Sequence, residues 1–186
     1  MKKVLILFSG GADSTLLVRM AQAIDLEPVC LLIDYGQKHI AELTVAERFC
    51  KKNNLQFTKV ELKNLNVHSK LKDGEVKYSG VSEWHVPGRN AMFISAAASI
   101  AESEGIDLIW YGANYEDREH LFPDCYQEWV YKMNSLLAVN GSQVIKLEAP
   151  LLGMQKNTIL GLLEMFNVKP SEIYSGYGEL ENKNKN

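Results

Sequence analysis

Short apolar runs alternate along this chain with segments in which apolar residues recur every three or four positions. The apolar runs predict five strands, at Val4–Phe8, Val29–Ile33, Phe57–Leu62, Leu108–Tyr111 and Val144–Leu147. The periodic segments predict five helices, which begin at Asp13 for the first and cover Glu42–Asn53, Ala91–Ser103, Glu128–Leu137 and Thr158–Phe166 for the others. This alternation is typical of an α/β fold with a five-stranded, mostly parallel sheet and helices on both faces.

The rest of the chain divides around this pattern. A single domain is expected over residues 1–178. Residues 64–87 are polar and weakly periodic, which predicts a surface excursion of a length that is usually functional in compact domains. Residues 179–186 are charged and rich in asparagine, which predicts a disordered tail.

Charge and composition exclude several classes of protein. The net charge of −3 argues against a protein that binds DNA directly through a basic face. The longest apolar runs are too short to cross a bilayer or to form the core of a signal peptide. The three cysteines, Cys30, Cys50 and Cys125, have no zinc-ligand spacing and form no disulfide framework. A cytoplasmic protein without a membrane partner is expected.

The first predicted strand leads through a glycine-rich loop into a helix. The loop consists of Phe8, Ser9, Gly10, Gly11, Ala12, Asp13, Ser14 and Thr15. Inward-facing backbone N–H groups, hydroxyls and the positive end of the helix dipole would together cradle an anion such as a phosphate. The loop has neither the lysine of a Walker A motif nor the spacing of a dinucleotide fingerprint. The same residue types also occur in simple turns that cap helices.

The string Ser-Gly-Gly-x-Asp-Ser between strand and helix resembles the signature of the PP-loop ATP pyrophosphatases. Further strings follow in order, namely Asp-Tyr-Gly-Gln from Asp34, Val-Pro-Gly-Arg-Asn from Val86, Tyr-Gly-Ala-Asn from Tyr111, Phe-Pro-Asp-Cys from Phe122, and Ala-Pro-Leu-Leu from Ala149 with Lys156 beyond it. Together they are similar to the 7-cyano-7-deazaguanine synthase (QueC-like) family of queuosine biosynthesis, over nearly the whole chain. The resemblance implies a Rossmann-like PP-loop fold that uses ATP and Mg²⁺.

Members of that family use ammonia and ATP to convert 7-carboxy-7-deazaguanine into its nitrile. The implied route activates the carboxylate as an acyl adenylate, forms an amide with ammonia and then activates the amide, so that AMP and pyrophosphate leave twice. The resemblance implies catalytic roles for Asp13, Ser14, Arg89 and Lys156, and ATP binding by residues 8–15 and Gly112. It implies substrate contacts from Tyr35, Gln37, His39, Asn90, Asn114, Asp117 and Asp124.

Several of these residues have ordinary structural alternatives. Arg89 could pair with a surface carboxylate, although a guanidinium at a helix start could also grip phosphate. Lys156 occupies the electrostatically unfavourable end of a helix, which favours a phosphate role over a solvated one. Asp13 could assist magnesium or cap the first helix, and His39 could be a surface histidine.

The chain departs from the family pattern at two places. The family carries four C-terminal cysteines that bind zinc, whereas Gly176 stands where the first is expected, so no zinc site is predicted. Residues 115–122, which should face the base, are one residue longer and more charged than in the family, and Tyr126 replaces a common arginine. These changes leave the ATP half of the pattern intact.

Three functions remain open from the sequence. The first is a nitrile-forming synthase, and the second is a related adenylating enzyme that stops at the amide or transfers the acyl group to a protein or RNA amine. The third is a non-catalytic nucleotide-binding scaffold, which the retained Arg89 and Lys156 disfavour. A homodimer is also expected, with residues 64–84 as a candidate contact.

Overall fold

Five parallel strands form the centre of the fold. The computed structural model describes residues 1–36, 41–62, 86–119 and 122–174. The strands are β1 (Lys2–Leu7), β2 (Leu26–Asp34), β3 (Gln56–Glu61), β4 (Leu108–Trp110) and β5 (Lys146–Glu148). They lie in the order β3-β2-β1-β4-β5, and each neighbouring pair is parallel. The predicted α/β fold with a Rossmann-like sheet is confirmed.

Six α-helices occur in the described part of the chain. They are α1 (Ala12–Ala23), α2 (Ala41–Lys52), α3 (Arg89–Ser103), α4 (Tyr115–Glu119), α5 (Gln127–Asn140) and α6 (Lys156–Met165). Two 3-10 turns, Pro123–Cys125 and Pro170–Glu172, follow α4 and α6 respectively. Helix α4 was not predicted, because it is five residues long and buries none of them, so it leaves no apolar period in the sequence.

The observed limits of all five strands differ from the predicted ones by one to three residues, and the end of β1 and the start of β5 show why. Phe8 lies beyond the end of β1, where the chain has already turned into the loop. The last strand begins at Lys146 rather than at Val144, whose side chain is 73% exposed. In both cases an apolar residue next to a strand was counted as part of it, since composition alone does not mark where pairing ends.

In the three central strands β1, β2 and β4, successive apolar side chains are buried on opposite faces of the sheet. On β1, Val4 and Ile6 belong to one core, which also contains apolar residues of α1, α2 and α6. Leu5 belongs to a second core, formed against α3 and α5. This double coverage explains the continuous apolar runs within these central strands.

The sheet order determines where a ligand can enter. Strand β1 lies between β2 and β4. After β1 the chain forms β2 and β3 on one side of it, and later forms β4 and β5 on its other side. In open parallel sheets a crevice forms at such a reversal, beyond the carboxyl ends of the strands. The glycine-rich loop follows β1 directly, so the fold carries it to this crevice.

Some predicted features lie outside the described residues. They include Gln37, His39, most of the excursion at 64–87 and the tail at 179–186. The excursion is described only at its end, where Val86 is buried. Over the described ranges no helix is long and apolar enough to cross a membrane.

Candidate functional site

The phosphate loop, defined as residues 8–15, has a backbone that requires glycine. Gly10 has a φ of +80°, and a Cβ added there would lie 2.9 Å from the backbone nitrogen of Ala46 on α2. Side chains with a Cβ rarely adopt this φ, so both strain and contact exclude them. The loop backbone is also held from the other side, where the Tyr174 N–H donates to the Gly10 carbonyl at 2.8 Å.

Hydroxyl groups connect the two ends of the phosphate loop. Ser14 Oγ accepts a hydrogen bond from the Ser9 N–H at 3.3 Å and donates to the Gly11 carbonyl at 3.2 Å. In the described structure, Gly11 is the N-cap of α1 and no side chain caps this helix. The first-turn N–H groups of α1 therefore remain available at the crevice, as an anion cradle requires.

Asp13 joins the phosphate loop to the last helix. Lys156 Nζ contacts Asp13 Oδ2 at 2.6 Å and Oδ1 at 2.8 Å. Asn114, which is only 2% exposed, donates a further hydrogen bond to Asp13 Oδ1 at 3.3 Å. Asp13 is thus not a helix cap, and its carboxylate supplies the negative partner that a lysine at the start of α6 needs.

The loop after β4 approaches the start of α1 closely. A Cβ on Gly112 would lie 3.1 Å from Asp13 Cβ and 3.5 Å from the Ser14 backbone nitrogen. A larger residue at this position would push the two segments apart. Gly112 therefore allows the carboxyl ends of β1 and β4 to share one site.

A cavity of about 450 Å³ opens beside the phosphate loop. Its lining includes Phe8, Ser9, Asp13, Ser14 and Gly112 from the predicted nucleotide half, and Tyr35, Arg89, Asn90, Asp117 and Asp124 from the predicted catalytic and substrate residues. The sequence did not identify the further lining residues Glu42, Phe93, Tyr111 and Trp129. Such a volume is in the range of small-molecule sites.

Arg89 enters this cavity from the first position of α3. Gly88 precedes it with a φ of +68° and serves as the N-cap of the helix. Arg89 Nη1 donates to the Tyr35 hydroxyl at 3.3 Å, and its guanidinium lies 5.7 Å from the centre of that ring. Burial raises the pKa of Tyr35, so its hydroxyl stays neutral at physiological pH. The contact and the cavity position place Arg89 inside the site rather than on the surface.

Asp124 lines the cavity and is held there by two neighbours. Asn90 Nδ2 donates to its carboxylate, and the Tyr111 hydroxyl donates to its backbone carbonyl at 2.6 Å. Cys125 follows it and is buried. Burial, and then the negative charges of Asp124 and Asp117, raise the pKa of the Cys125 thiol, which therefore remains protonated.

Some predicted residues lie behind the cavity rather than on its wall. Lys156 and Asn114 both donate hydrogen bonds to the carboxylate of Asp13, which lines the cavity, but they do not line it themselves. Thr15 is 0% exposed within α1. In the charged segment after β4, Asp117 and Phe122 line the cavity, whereas Arg118 packs over the Tyr126 ring at 5.1 Å. Among the described residues of this segment, Asp117 and Phe122 are therefore the ones in a position to meet a ligand in the cavity.

The cysteines form no metal site in the described structure. All three are buried, and the hydrogen bond that joins Cys30 and Cys50 raises the pKa of Cys30 and lowers that of Cys50. No group of three or more His, Cys, Asp and Glu residues in the described ranges is arranged to hold a metal ion.

Comparison with known proteins finds relatives of the chain over most of its length. The sequence profile of the family described as "Queuosine biosynthesis protein QueC" matches residues 3–185. The 7-cyano-7-deazaguanine synthase of Psychromonas ingrahamii is 32% identical over 169 residues, which cover 86% of this chain and 76% of the relative. That of Prochlorococcus marinus strain MIT 9215 is 32% identical over 195 residues, which cover 96% and 87%.

Solved structures share the fold at lower identity. The U34-tRNA thiolase NcsA of Methanococcus maripaludis has a TM-score of 0.62 and 18% identity, over 90% of this chain and 58% of that one. A predicted subunit of a tRNA methyltransferase from Methanocaldococcus jannaschii has a TM-score of 0.52 and 14% identity, over 94% and 93%. The resemblance that the sequence strings indicated is confirmed by the profile match, and the chain belongs to the QueC family of queuosine biosynthesis proteins.

Proposed function

We propose that this protein is an ATP-dependent carbon–nitrogen ligase that converts 7-carboxy-7-deazaguanine and ammonia into 7-cyano-7-deazaguanine. Relatives of that name, about 30% identical over most of the chain, support this function. The structural observation that carries it is one cavity whose lining combines residues of the phosphate loop with Arg89, Asp117 and Asp124. A nucleotide phosphate and an organic substrate would meet there.

The phosphate loop is proposed to bind the phosphates of ATP. The first-turn N–H groups of α1 and the hydroxyls of Ser9 and Ser14 are suited to hold anionic oxygens. Arg89 and Lys156 supply two cations near this loop, and cations stabilise the charge that develops as pyrophosphate leaves. The substrate carboxylate would attack the α-phosphorus, so that the acyl carbon gains AMP as a leaving group.

Magnesium is proposed to arrive with ATP. Mg²⁺ is usually held by one or two carboxylates together with substrate phosphates. Asp13 lines the cavity beside the phosphate loop and fits this role, because a carboxylate that accepts hydrogen bonds from Lys156 and Asn114 retains lone pairs. Bound there, the ion would neutralise phosphate charge.

The deazaguanine base is proposed to occupy the other half of the cavity. Its walls include the rings of Tyr35, Phe93, Tyr111 and Trp129, which suit a flat heterocycle. The base carries N–H donors along one edge, and Asp117 and Asp124 offer carboxylate acceptors. Substrate roles for Asn90, Asn114, Gln37 and His39, the homodimer and the cytoplasmic location remain predictions from the sequence.

Product analysis tests the proposed function. The purified protein is incubated with 7-carboxy-7-deazaguanine, ATP, Mg²⁺ and ammonium, and the products are separated and weighed by mass spectrometry. The nitrile, with two AMP for each molecule formed, is expected. Accumulation of the amide, or an acyl adduct on a protein or RNA, would favour the related adenylating enzyme instead. Binding of ATP without any turnover would indicate a scaffold.

A matched pair of variants assigns the base half of the cavity. Asp124→Asn removes a charged acceptor from the wall, whereas Asp107→Asn removes an exposed carboxylate that pairs with Lys2. The first is expected to raise the KM for the deazaguanine more than the KM for ATP, and the second to change neither. Equal effects of Asp124→Asn on both KM values would contradict the proposed position of the base.

A further inference from the structure

Helix α4 carries two adjacent carboxylates with different surroundings. Asp117 lines the cavity, whereas Glu116 contacts the first residue of α6. Glu116 Oε1 accepts a hydrogen bond from the backbone N–H of Lys156 at 2.7 Å. A second bond joins the same segments, from the Tyr115 N–H to the Met154 carbonyl at 3.1 Å. The start of α4 therefore holds the start of α6 at two points.

Glu116 supplies the acceptor that α6 lacks within its own segment. The first N–H groups of a helix have no partner inside the helix, and the N-cap residue Gln155 forms no side-chain cap. A carboxylate at this end also interacts favourably with the helix dipole. Glu116 Oε2 is buried and has no hydrogen-bond partner among the described residues, so the carboxylate is retained there at a cost in solvation.

The residue that Glu116 holds is the lysine that reaches the phosphate loop. The Lys156 backbone N–H binds Glu116, while its Nζ binds Asp13. A lysine ammonium sits on a flexible four-carbon stem, so fixing the backbone narrows the range of positions that the ammonium can sample. We infer that Glu116 is a positioning residue, which caps α6 and thereby directs the ammonium of Lys156 to the loop and to the phosphates of ATP.

This inference rests on the proposed phosphate role of Lys156, and nucleotide binding tests it without the deazaguanine substrate. The dissociation constant of a non-hydrolysable ATP analogue with Mg²⁺ is measured by calorimetry. Glu116→Ala is expected to weaken binding about tenfold, as the loss of one charge-assisted hydrogen bond suggests. Glu116→Gln retains the Oε1 acceptor and should rescue most of the affinity. Glu164→Ala, which removes an exposed carboxylate from the same helix, is the control and should change nothing.

A double-mutant cycle separates positioning from general destabilisation. In a Lys156→Ala background, Glu116→Ala should weaken binding no further. Equal weakening in both backgrounds, or no loss from Lys156→Ala alone, would overturn the inference. If Glu116→Ala does not fold, Glu116→Met takes its place, since it fills a similar volume without an acceptor. If the double-mutant cycle shows coupling between Glu116 and Lys156 but product analysis detects no nitrile, the proposed function is contradicted and the positioning role is still supported.

Discussion

The Asp13–Lys156 ion pair connects residues 143 positions apart, at the beginning and near the end of the chain. Its two side chains are 24% and 25% exposed, so water screens the pair only in part. A lysine at the first position of a helix opposes the helix dipole, and the neighbouring carboxylate offsets that cost. The pair places a cation beside the phosphate loop.

Removal of this cation should affect the chemistry more than the fold. Lys156→Ala is expected to lower ATP-dependent AMP release by about 10²–10³-fold, because it removes a positive charge from developing phosphate charge. Lys59→Ala, which breaks an exposed pair with Glu47, should release AMP at the wild-type rate. A Lys156→Ala enzyme as fast as the Lys59→Ala control would exclude this lysine from the site.

Two glycines with the same unusual backbone form a matched pair. Gly10 and Gly88 have φ values of +80° and +68°, but a Cβ on Gly10 would meet α2 whereas a Cβ on Gly88 would meet nothing within 4 Å. Alanine at either position should lower the free energy of unfolding by about 1–2 kcal/mol because of the positive φ alone. Gly10→Ala should lower the free energy of unfolding further, as measured in urea. Similar losses in both variants would mean that α2 yields to the added methyl group.

At the scale of elements, α4 depends on a single buried side chain for its first turn. Asn114 Oδ1 accepts a hydrogen bond from the Asp117 N–H at 3.1 Å, while its Nδ2 donates to Asp13. The two bonds tie the short helix to the phosphate loop. Because α4 buries no residue of its own, its stability depends on such contacts with neighbouring segments, which also include the bonds of Tyr115 and Glu116.

Asn114→Ala should therefore loosen α4 locally. The loss of a helix cap costs about 1 kcal/mol, and the Asp117 N–H would lose its acceptor. Hydrogen exchange followed by mass spectrometry should show faster exchange in α4 and unchanged exchange in β1, which serves as the internal control. Unchanged exchange in α4 would show that its contacts with α6 are sufficient.

The long elements could be predicted from sequence because their burial leaves a pattern. Strands such as β2 are apolar at successive positions, and α2 repeats its apolar residues with helical spacing. Helix α4 leaves no such pattern, and nothing in the sequence around Glu116 indicates that its carboxylate contacts α6. The cavity roles of Tyr111 and Trp129 were also missed, since they depend on which strands become neighbours, and local periodicity contains no information about strand order.

At the scale of the whole molecule, the sheet order brings the site together. The phosphate loop follows β1, Tyr35 follows β2 and Gly112 follows β4, and these three strands are adjacent. The resemblance predicted most of these residues from short strings. The pairing of Lys156 with Asp13 required the structure, because it joins distant segments through side chains.

Burial of neutral acids near the cavity should make the fold sensitive to alkali. Burial raises the pKa of Cys125, Tyr35 and Tyr111. The folded state thus holds these protons more tightly than the unfolded state. Their contribution to the free energy of unfolding is therefore fully present at pH values below the unfolded pKa, which is about 8.5 for Cys and about 10 for Tyr. The free energy of unfolding should fall as pH rises above about 8.5.

Urea unfolding over a series of pH values tests this dependence. Cys125→Ala removes one of the raised groups and should reduce the slope of stability against pH between about pH 8.5 and pH 10. A wild-type stability that increases over that interval would contradict the burial of these groups. An unchanged slope in the variant would assign the effect to the tyrosines and to Cys30, whose pKa is also raised.

The transfer of oxygen from substrate to AMP tests adenylation most directly. The 7-carboxy-7-deazaguanine is prepared with heavy oxygen in both carboxylate positions and is turned over with unlabelled ATP, Mg²⁺ and ammonium. If carboxylate and then amide oxygen attack the α-phosphorus, each released AMP carries one heavy oxygen atom and the pyrophosphate carries none. Label in inorganic phosphate together with ADP, or unlabelled AMP beside a formed nitrile, would contradict attack at the α-phosphorus and with it the proposed chemistry of the cavity.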